Sequence, residues 1–387
     1  MTEAATHTPE TTLATTRRGV AEARRWVIKI GSAVLTDNGQ GLSETFIQQL
    51  AEDVVSLRER GCEVILVSSG AVAAGLARLG ITERPSALDE LQAAAAVGQS
   101  SLVQAYEAAF APADVLCAQI LLSHDDVKSR DRYLNARATL KTLLSQGVIP
   151  IVNENDTVVT DEIRFGDNDT LAALVANLLD ADALLMLTDQ QGLFDADPRT
   201  HSDATLVGET DAHDTALDAM VSEGSTLGRG GMVSKLRAAR LAARSGTVSI
   251  IADGRDPNTV SQAAQGLAVG TLFTTAQQPQ PARKQWLASL LYPRGELMLD
   301  EGACRVITTS GRSLLPVGVK SVSGEFTRGD LVRCVNSDGE EVARGLINYG
   351  TEDAQRLLGR PSADIEAILG FGGEEELIHR DNLITVR

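Results

Sequence analysis

The feature that most constrains this chain is an alternation. Short β-rich runs end in polar or glycine loops, and each is followed by an Ala/Leu-rich helical stretch. That rhythm predicts an α/β fold, a largely parallel sheet flanked by helices. Five runs carry it: Trp26 to Ile30, Glu63 to Val67, Val148 to Val152, Ala183 to Leu187 and Thr247 to Ile251. In open α/β sheets the ligand crevice lies beyond the carboxyl ends of the strands. The residues around and just after these ends are therefore the candidate site: Lys29 to Ser32, Ser68-Ser69-Gly70, Asn153-Glu154-Asn155-Asp156, Thr188-Asp189 and Asp253-Gly254.

Size and composition bound the rest. With 387 residues, 43% of them hydrophobic, the chain can bury a sizeable core and is long enough for two domains. No apolar run reaches the roughly 18 to 20 residues that span a bilayer, and the N-terminus lacks an apolar signal core, so a cytoplasmic location is expected. Residues 1–22, rich in Thr, Ala and Glu, read as a disordered extension, and 23–273 as the catalytic domain. Gln and Pro cluster from Thr274 to Pro281, which places a linker at 274–292. Alternating apolar and polar residues between Gly turns then predict a small β-rich domain at 293–372, with 373–387 as a terminal segment. A net charge of −17 repels nucleic acid at long range, so an anionic ligand must be held by local cations. Cys62, Cys117, Cys304 and Cys334 are widely spaced and show no zinc or redox pattern. The five histidines form no ligand motif either.

Two lysines stand out against this frame. One is Lys29 in Trp26-Val27-Ile28-Lys29-Ile30-Gly31-Ser32; the other, Lys235, closes Gly228-Arg229-Gly230-Gly231-Met232-Val233-Ser234-Lys235. Glycines let backbone N–H groups close on an anion, and a lysine after them can reach a transferring phosphoryl group, although a plain flexible loop would use the same glycines. Neither a P-loop nor the dinucleotide G-x-G-x-x-G pattern is present. In Gly166-Asp167-Asn168-Asp169, a polar cluster opens an amphipathic helix. One cap explains one residue, and three in a row leave at least one for function. Asp169 is a candidate to hold Lys29 and Lys235 in register. Ser68-Ser69-Gly70 is either a tight βα turn or an anion cradle. Asn153, Asn155 and Asp156 suit an amino-acid zwitterion or a capped turn. A carboxylate nucleophile, with a pKa near about 4.3, needs charge neutralisation rather than a base. Two lysines and a magnesium ion suit that task.

These strings, together with Val67-Ser68-Ser69-Gly70-Ala71-Val72-Ala73-Ala74-Gly75, Ala96-Val97-Gly98-Gln99-Ser100, Asn135-Ala136-Arg137, Leu187-Thr188-Asp189-Gln190-Gln191-Gly192-Leu193 and Asp197-Pro198-Arg199, resemble the amino-acid kinases in order over residues 25 to 270. Ser313 to Lys320 and Phe326 to Asp330 resemble a PUA domain. The resemblance implies the amino-acid kinase fold with a PUA-like C-terminal domain. It also implies transfer of the γ-phosphoryl of ATP, as its magnesium complex, to the γ-carboxylate of L-glutamate, the first step of proline synthesis. By the same likeness, Lys29, Lys235 and Asp169 are catalytic, and Ser69, Gly70, Asn153, Asp156, Asp167 and Asn168 bind glutamate. ATP falls to Lys29, Thr188, Asp189, Arg229, Gly230, Gly231, Met232, Val233, Ser234 and Lys235; no residue is assigned as a metal ligand. Proline as feedback inhibitor, a glutamyl-phosphate reductase as partner and a dimer or tetramer are implied too. Kinases of this fold that act on acetylglutamate, aspartate, carbamate or UMP are the competing readings. PUA domains elsewhere bind RNA, yet residues 293–387 carry eleven Lys and Arg against sixteen Asp and Glu, a balance of −5 that disfavours an RNA surface.

Overall fold

The structure, a computed structural model, describes residues 16–36, 41–123, 126, 130–158, 168–222, 231–275, 293–371 and 373–385. The chain divides into two units, Met1–Pro279 and Gln280–Arg387.

The first unit is built on an eight-stranded sheet of β1 (Arg25–Ile30), β2 (Glu63–Val67), β3 (Cys117–Leu122), β4 (Ile149–Glu154), β5 (Ala183–Thr188), β6 (Glu209–Asp211), β7 (Val248–Asp253) and β8 (Thr271–Thr274). Their order is β3-β4-β2-β1-β5-β7-β8-β6. Pairing is parallel from β3 through β7, β8 runs antiparallel to β7, and β6 is parallel to β8. All five expected strands form, and β1, with β2 and β5 on either side, is central. The strands β3, β6 and β8 were not expected: β3 is a half-exposed edge, and β6 and β8 span three and four residues. Strands of that kind lack the continuous apolar run that betrays a doubly covered parallel strand.

Helices α1 (Arg17–Ala21), α2 (Ser32–Leu35), α3 (Glu44–Glu59), α4 (Ala71–Leu79), α5 (Leu88–Phe110), α6 (Arg130–Ser145), α7 (Asn168–Leu179), α8 (Ala216–Ser222), α9 (Met232–Ala243) and α10 (Thr259–Ala264) accompany the sheet. The helix α3 shows why: Ser43 caps its first turn through Phe46 N–H, and Ile47, Leu50, Ala51, Val54 and Leu57 bury one face at helical spacing. Helix α4 starts at Gly70 (φ 90°), a left-handed residue that turns the chain sharply out of β2. It then packs backbone to backbone on α5. A Cβ on Gly75 would stand 1.7 Å from the Ala94 carbonyl oxygen, and one on Gly98 1.8 Å from that of Ala71. Residues 17–21, expected within a disordered extension, instead form α1, with Val20 1% exposed in the core. Its Arg17 guanidinium donates to the carbonyls of Leu267, Val269, Gly208 and Gly270. Those bonds and that burial are why order begins before residue 23.

The second unit has a five-stranded sheet of β9 (Gly295–Leu299), β10 (Val319–Gly324), β11 (Leu331–Val335), β12 (Glu341–Leu346) and β13 (Leu383–Thr385), ordered β10-β9-β11-β12-β13, with helices α11 (Glu301–Ser310), α12 (Thr351–Arg356) and α13 (Ile365–Leu369). Its core includes Leu297, Ile307, Val332 and Leu357. The boundary expected at residue 372 falls short: Leu377 and Ile378 are buried in that core, and β13 completes the sheet against β12. Among the described residues, no helix is long and apolar enough to cross a membrane.

Candidate active site

The site is assembled at the carboxyl ends of β1, β2, β4, β5 and β7, where the strand rule places it. Lys29 sits near the end of β1, level with Val67 on one side and Met186 on the other. Asp169 lies in the first turn of α7, where the helix dipole favours a carboxylate. Lys235 and Ser234 come from the first turn of α9. All three converge on one carboxylate. Lys29 Nζ stands 2.5 Å from Asp169 Oδ1; Lys235 Nζ stands 3.2 Å from Oδ2, and Ser234 donates to Oδ2 at 2.6 Å. The lysines are 4% and 5% exposed and the aspartate 0%.

Burial by itself would raise the Asp169 pKa, but the two lysines and the Ser234 hydroxyl outweigh it and bring the carboxyl down to about 2. Burial lowers the Lys235 pKa, with the Asp169 charge opposing it. Two lysine side chains share the single carboxylate of Asp169 in a nearly dry site. Charge buried there is costly unless it is paired, which suits the cluster to an anion.

The preceding residue organises a second group. Asn168 Nδ2 lies within donating distance of Ser68 O (2.8 Å), Ser69 Oγ (3.0 Å) and Asn153 Oδ1 (3.0 Å). An amide has two N–H bonds for these three acceptors, and the Ser69 hydroxyl keeps its own proton to donate. Asn153 Oδ1 also accepts from the Glu154 N–H at 2.9 Å. The other end of that side chain, Nδ2, is buried and finds no hydrogen-bond partner among the described residues. A buried donor left over at the mouth of β4 fits a ligand oxygen. Tyr106, wholly buried on α5, supports the same turn through the hydroxyl of Ser68, 3.0 Å away.

Adjacent to the lysines, the Thr188 hydroxyl donates to Asp189 Oδ1 at 3.2 Å at the end of β5. The Gly31 N–H donates to Leu187 O at 3.0 Å, and a Cβ on Gly31 would stand 3.0 Å from that same oxygen, so glycine eases the close approach of the two strand ends. Gly231, Met232 and Val233 lead into the turn that carries Ser234 and Lys235. Gly70 and Asp156 occupy the turns after β2 and β4. Asp167, Arg229 and Gly230 lie outside the described residues. The sequence assigns Ser234 to the nucleotide; in the fold its hydroxyl also donates to Asp169, a contact across 65 residues that no local pattern announces. It left Tyr106 and Arg255 without a role, although Gly254, next to Arg255, had been picked out by the strand rule.

Among the described residues no three His, Cys, Asp or Glu side chains gather as a metal site. Asp169 is taken up by the lysines, and Asp189, near enough to Lys235 for its charge to raise that lysine's pKa, is a second carboxylate beside them. That donor set fits a divalent cation brought in on phosphate oxygens rather than one caged by protein.

Comparison with known proteins agrees with this geometry. Residues 24–253 match the model of the amino acid kinase family, and residues 295–369 match the PUA domain. The chain is 57% identical over 370 residues to the glutamate 5-kinase of Saccharophagus degradans, covering 96% of this chain and 99% of that protein. It is 59% identical over 371 residues to the glutamate 5-kinase of Hahella chejuensis, covering 96% of each, and 57% identical over 368 residues to that of Teredinibacter turnerae, covering 95% and 99%. The chain belongs to the amino acid kinase family.

Proposed function

We infer that this chain is a glutamate 5-kinase, which transfers the γ-phosphoryl group of ATP to the γ-carboxylate of L-glutamate. The observation that carries the reading is the buried carboxylate of Asp169 shared by Lys29 and Lys235. In the reaction a γ-carboxylate oxygen attacks the γ-phosphorus in line. The new O–P bond forms as the bond to the β,γ-bridging oxygen breaks, and ADP leaves with that electron pair. The nucleophile is ionised at pH 7, so no proton has to be removed. Charge on the transferring group and on the leaving oxygen must be neutralised, which is what two preorganised ammonium groups supply.

The turn of Ser69 and Gly70, with Asn153, Asn168, Asp156 and Asp167, holds glutamate; the unpartnered Asn153 Nδ2 supports this. Thr188, Asp189 and residues 229–235 hold ATP. Asp189 would be the side chain to meet a magnesium ion carried in on ATP, which would screen the phosphate charge there. Asp169 touches neither substrate in this scheme; it fixes the spacing of the two lysines. The product is an acyl phosphate, which hydrolyses readily, so a reductase that takes it over directly is the partner expected, with proline as inhibitor. Four free cysteines fit a reducing cytoplasm.

The test is ATP turnover with hydroxylamine as trap and a panel of acceptors. Glutamate-dependent hydroxamate is expected. Turnover with acetylglutamate, aspartate, carbamate or UMP in its place would reverse the substrate assignment and leave the fold untouched.

A further inference from the structure

The turn that carries Thr188 and Asp189 is tied down from the neighbouring strand. The Gly254 N–H donates to Thr188 O at 2.8 Å, and Arg255 Nη2 donates to Asp189 O at 2.5 Å. The same guanidinium forks onto Asp253 at the end of β7, Nε to Oδ1 at 2.9 Å and Nη2 to Oδ2 at 2.8 Å, while the Arg255 backbone N–H donates to Oδ1 at 2.9 Å. Asp253 is itself anchored, since its carbonyl accepts from the Thr259 hydroxyl at 2.6 Å. Gly254 lets the two strand ends close: a Cβ there would stand 2.8 Å from Val34 Cγ1 and 3.0 Å from Leu187 Cβ.

An exposed ion pair commonly contributes little, and the Arg255 side chain is 61% exposed. A planar bidentate fork that also reaches a third group is a different device, because it fixes direction as well as distance. The pair Asp197 and Arg199 makes the same two-residue fork, and among the described residues that guanidinium reaches no further carbonyl. The additional bond to Asp189 is therefore a property of where Arg255 sits rather than of the Asp-x-Arg pattern.

We propose that Arg255 is a positioning residue for the phosphoryl donor: bridged between Asp253 and the backbone of Asp189, it sets the turn on which ATP rests. It acts through that turn and does not touch the reacting atoms. The inference rests on the assignment of Thr188 and Asp189 to ATP made above.

Four variants test it in the hydroxamate assay, with KM for ATP and for glutamate measured separately: Arg255→Ala, Arg255→Lys, Asp253→Asn and the double variant Arg255→Ala/Asp253→Asn. Loss of the bridge is expected to raise KM for ATP about fivefold, with KM for glutamate unchanged. Lysine keeps the charge but not the fork, so it should recover little of the loss. Asp253→Asn should reproduce the effect of Arg255→Ala, and the double variant should add nothing, as members of one unit behave. An unchanged KM for ATP in Arg255→Ala, an equal rise in both KM values, full rescue by lysine, or additive effects in the double variant would each overturn the proposal. The parent chain and Lys235→Ala run alongside. No glutamate-dependent hydroxamate from the parent, or full activity in Lys235→Ala, brings down the functional reading and this inference with it. If both controls behave and only the KM split is missing, the inference alone fails.

Discussion

Asp169→Asn removes one charge from the centre of the site and almost nothing else, since asparagine keeps the shape and can still bond Ser234. Folding takes the Asp169 carboxyl from 3.8 to about 2. That depression makes its ionised form worth about 2 kcal/mol to the folded state at pH 7. Breaking a buried ion pair can cost about 3–5 kcal/mol, but a lysine stranded by the change can release its proton, and burial already lowers the Lys235 pKa. The lower figure is therefore the expected one. The folded-state value is below the unfolded one, so the contribution is complete above the unfolded pKa and is lost as pH falls through about 2. Roughly half is gone at pH 3. Denaturant unfolding read by Trp26, buried in the first unit, in a Trp286→Phe background, should show the parent about 2 kcal/mol more stable than the variant at pH 7, with the gap narrowed at pH 3. Turnover should fall about a hundredfold or more, as it does when a preorganised electrostatic group is lost. Equal stability at pH 7, or a gap that does not narrow in acid, would mean that the two lysines do not hold the Asp169 carboxylate in its ionised form.

Three further changes probe other parts of the account. Gly75→Ala drives a Cβ to 1.7 Å from the Ala94 carbonyl oxygen and should cost about 3 kcal/mol or more, seen as a lowered thermal midpoint; an unchanged midpoint would mean that α4 and α5 are not so close. Asn168→Ala frees Ser68, Ser69 and Asn153 together and should raise KM for glutamate about tenfold. An equal rise for ATP would contradict the division of the site. Tyr106→Phe removes the hydroxyl beneath Ser68 and should cost about 1 kcal/mol of stability, with KM for glutamate moving and KM for ATP steady.

Much of this was legible in the residues because doubly covered parallel strands must be apolar throughout. Five of the strands could therefore be marked, and their ends pointed to Lys29, Ser69, Asn153 and Thr188. Lys235 and Asp169 were legible through local oddities, a glycine-bracketed lysine and more polar residues than a helix cap requires. What stayed hidden depends on partners far along the chain. Short edge strands such as β6 are specified by β8 rather than by their own three residues. Residues 373–387 read as a terminal segment outside the domain, yet β13 pairs with β12 and Ile378 is buried. The Ser234 hydroxyl, the Tyr106 support and the Arg255 bridge join segments 38 to 66 residues apart, and no local periodicity carries that information.

In the reaction proposed above, Lys29 and Lys235, spaced by Asp169, neutralise the phosphoryl group in flight. Affinity for ADP with aluminium fluoride and magnesium in the presence of glutamate measures this directly, because that complex imitates the transferring group rather than the bound substrates. The parent chain should bind it far more tightly than ADP alone, and Lys29→Met and Lys235→Met should lose that extra affinity while still binding ADP. If either lysine variant kept the full preference for the fluoride complex, that lysine would not be acting on the transferring group, and the account of the site would be contradicted.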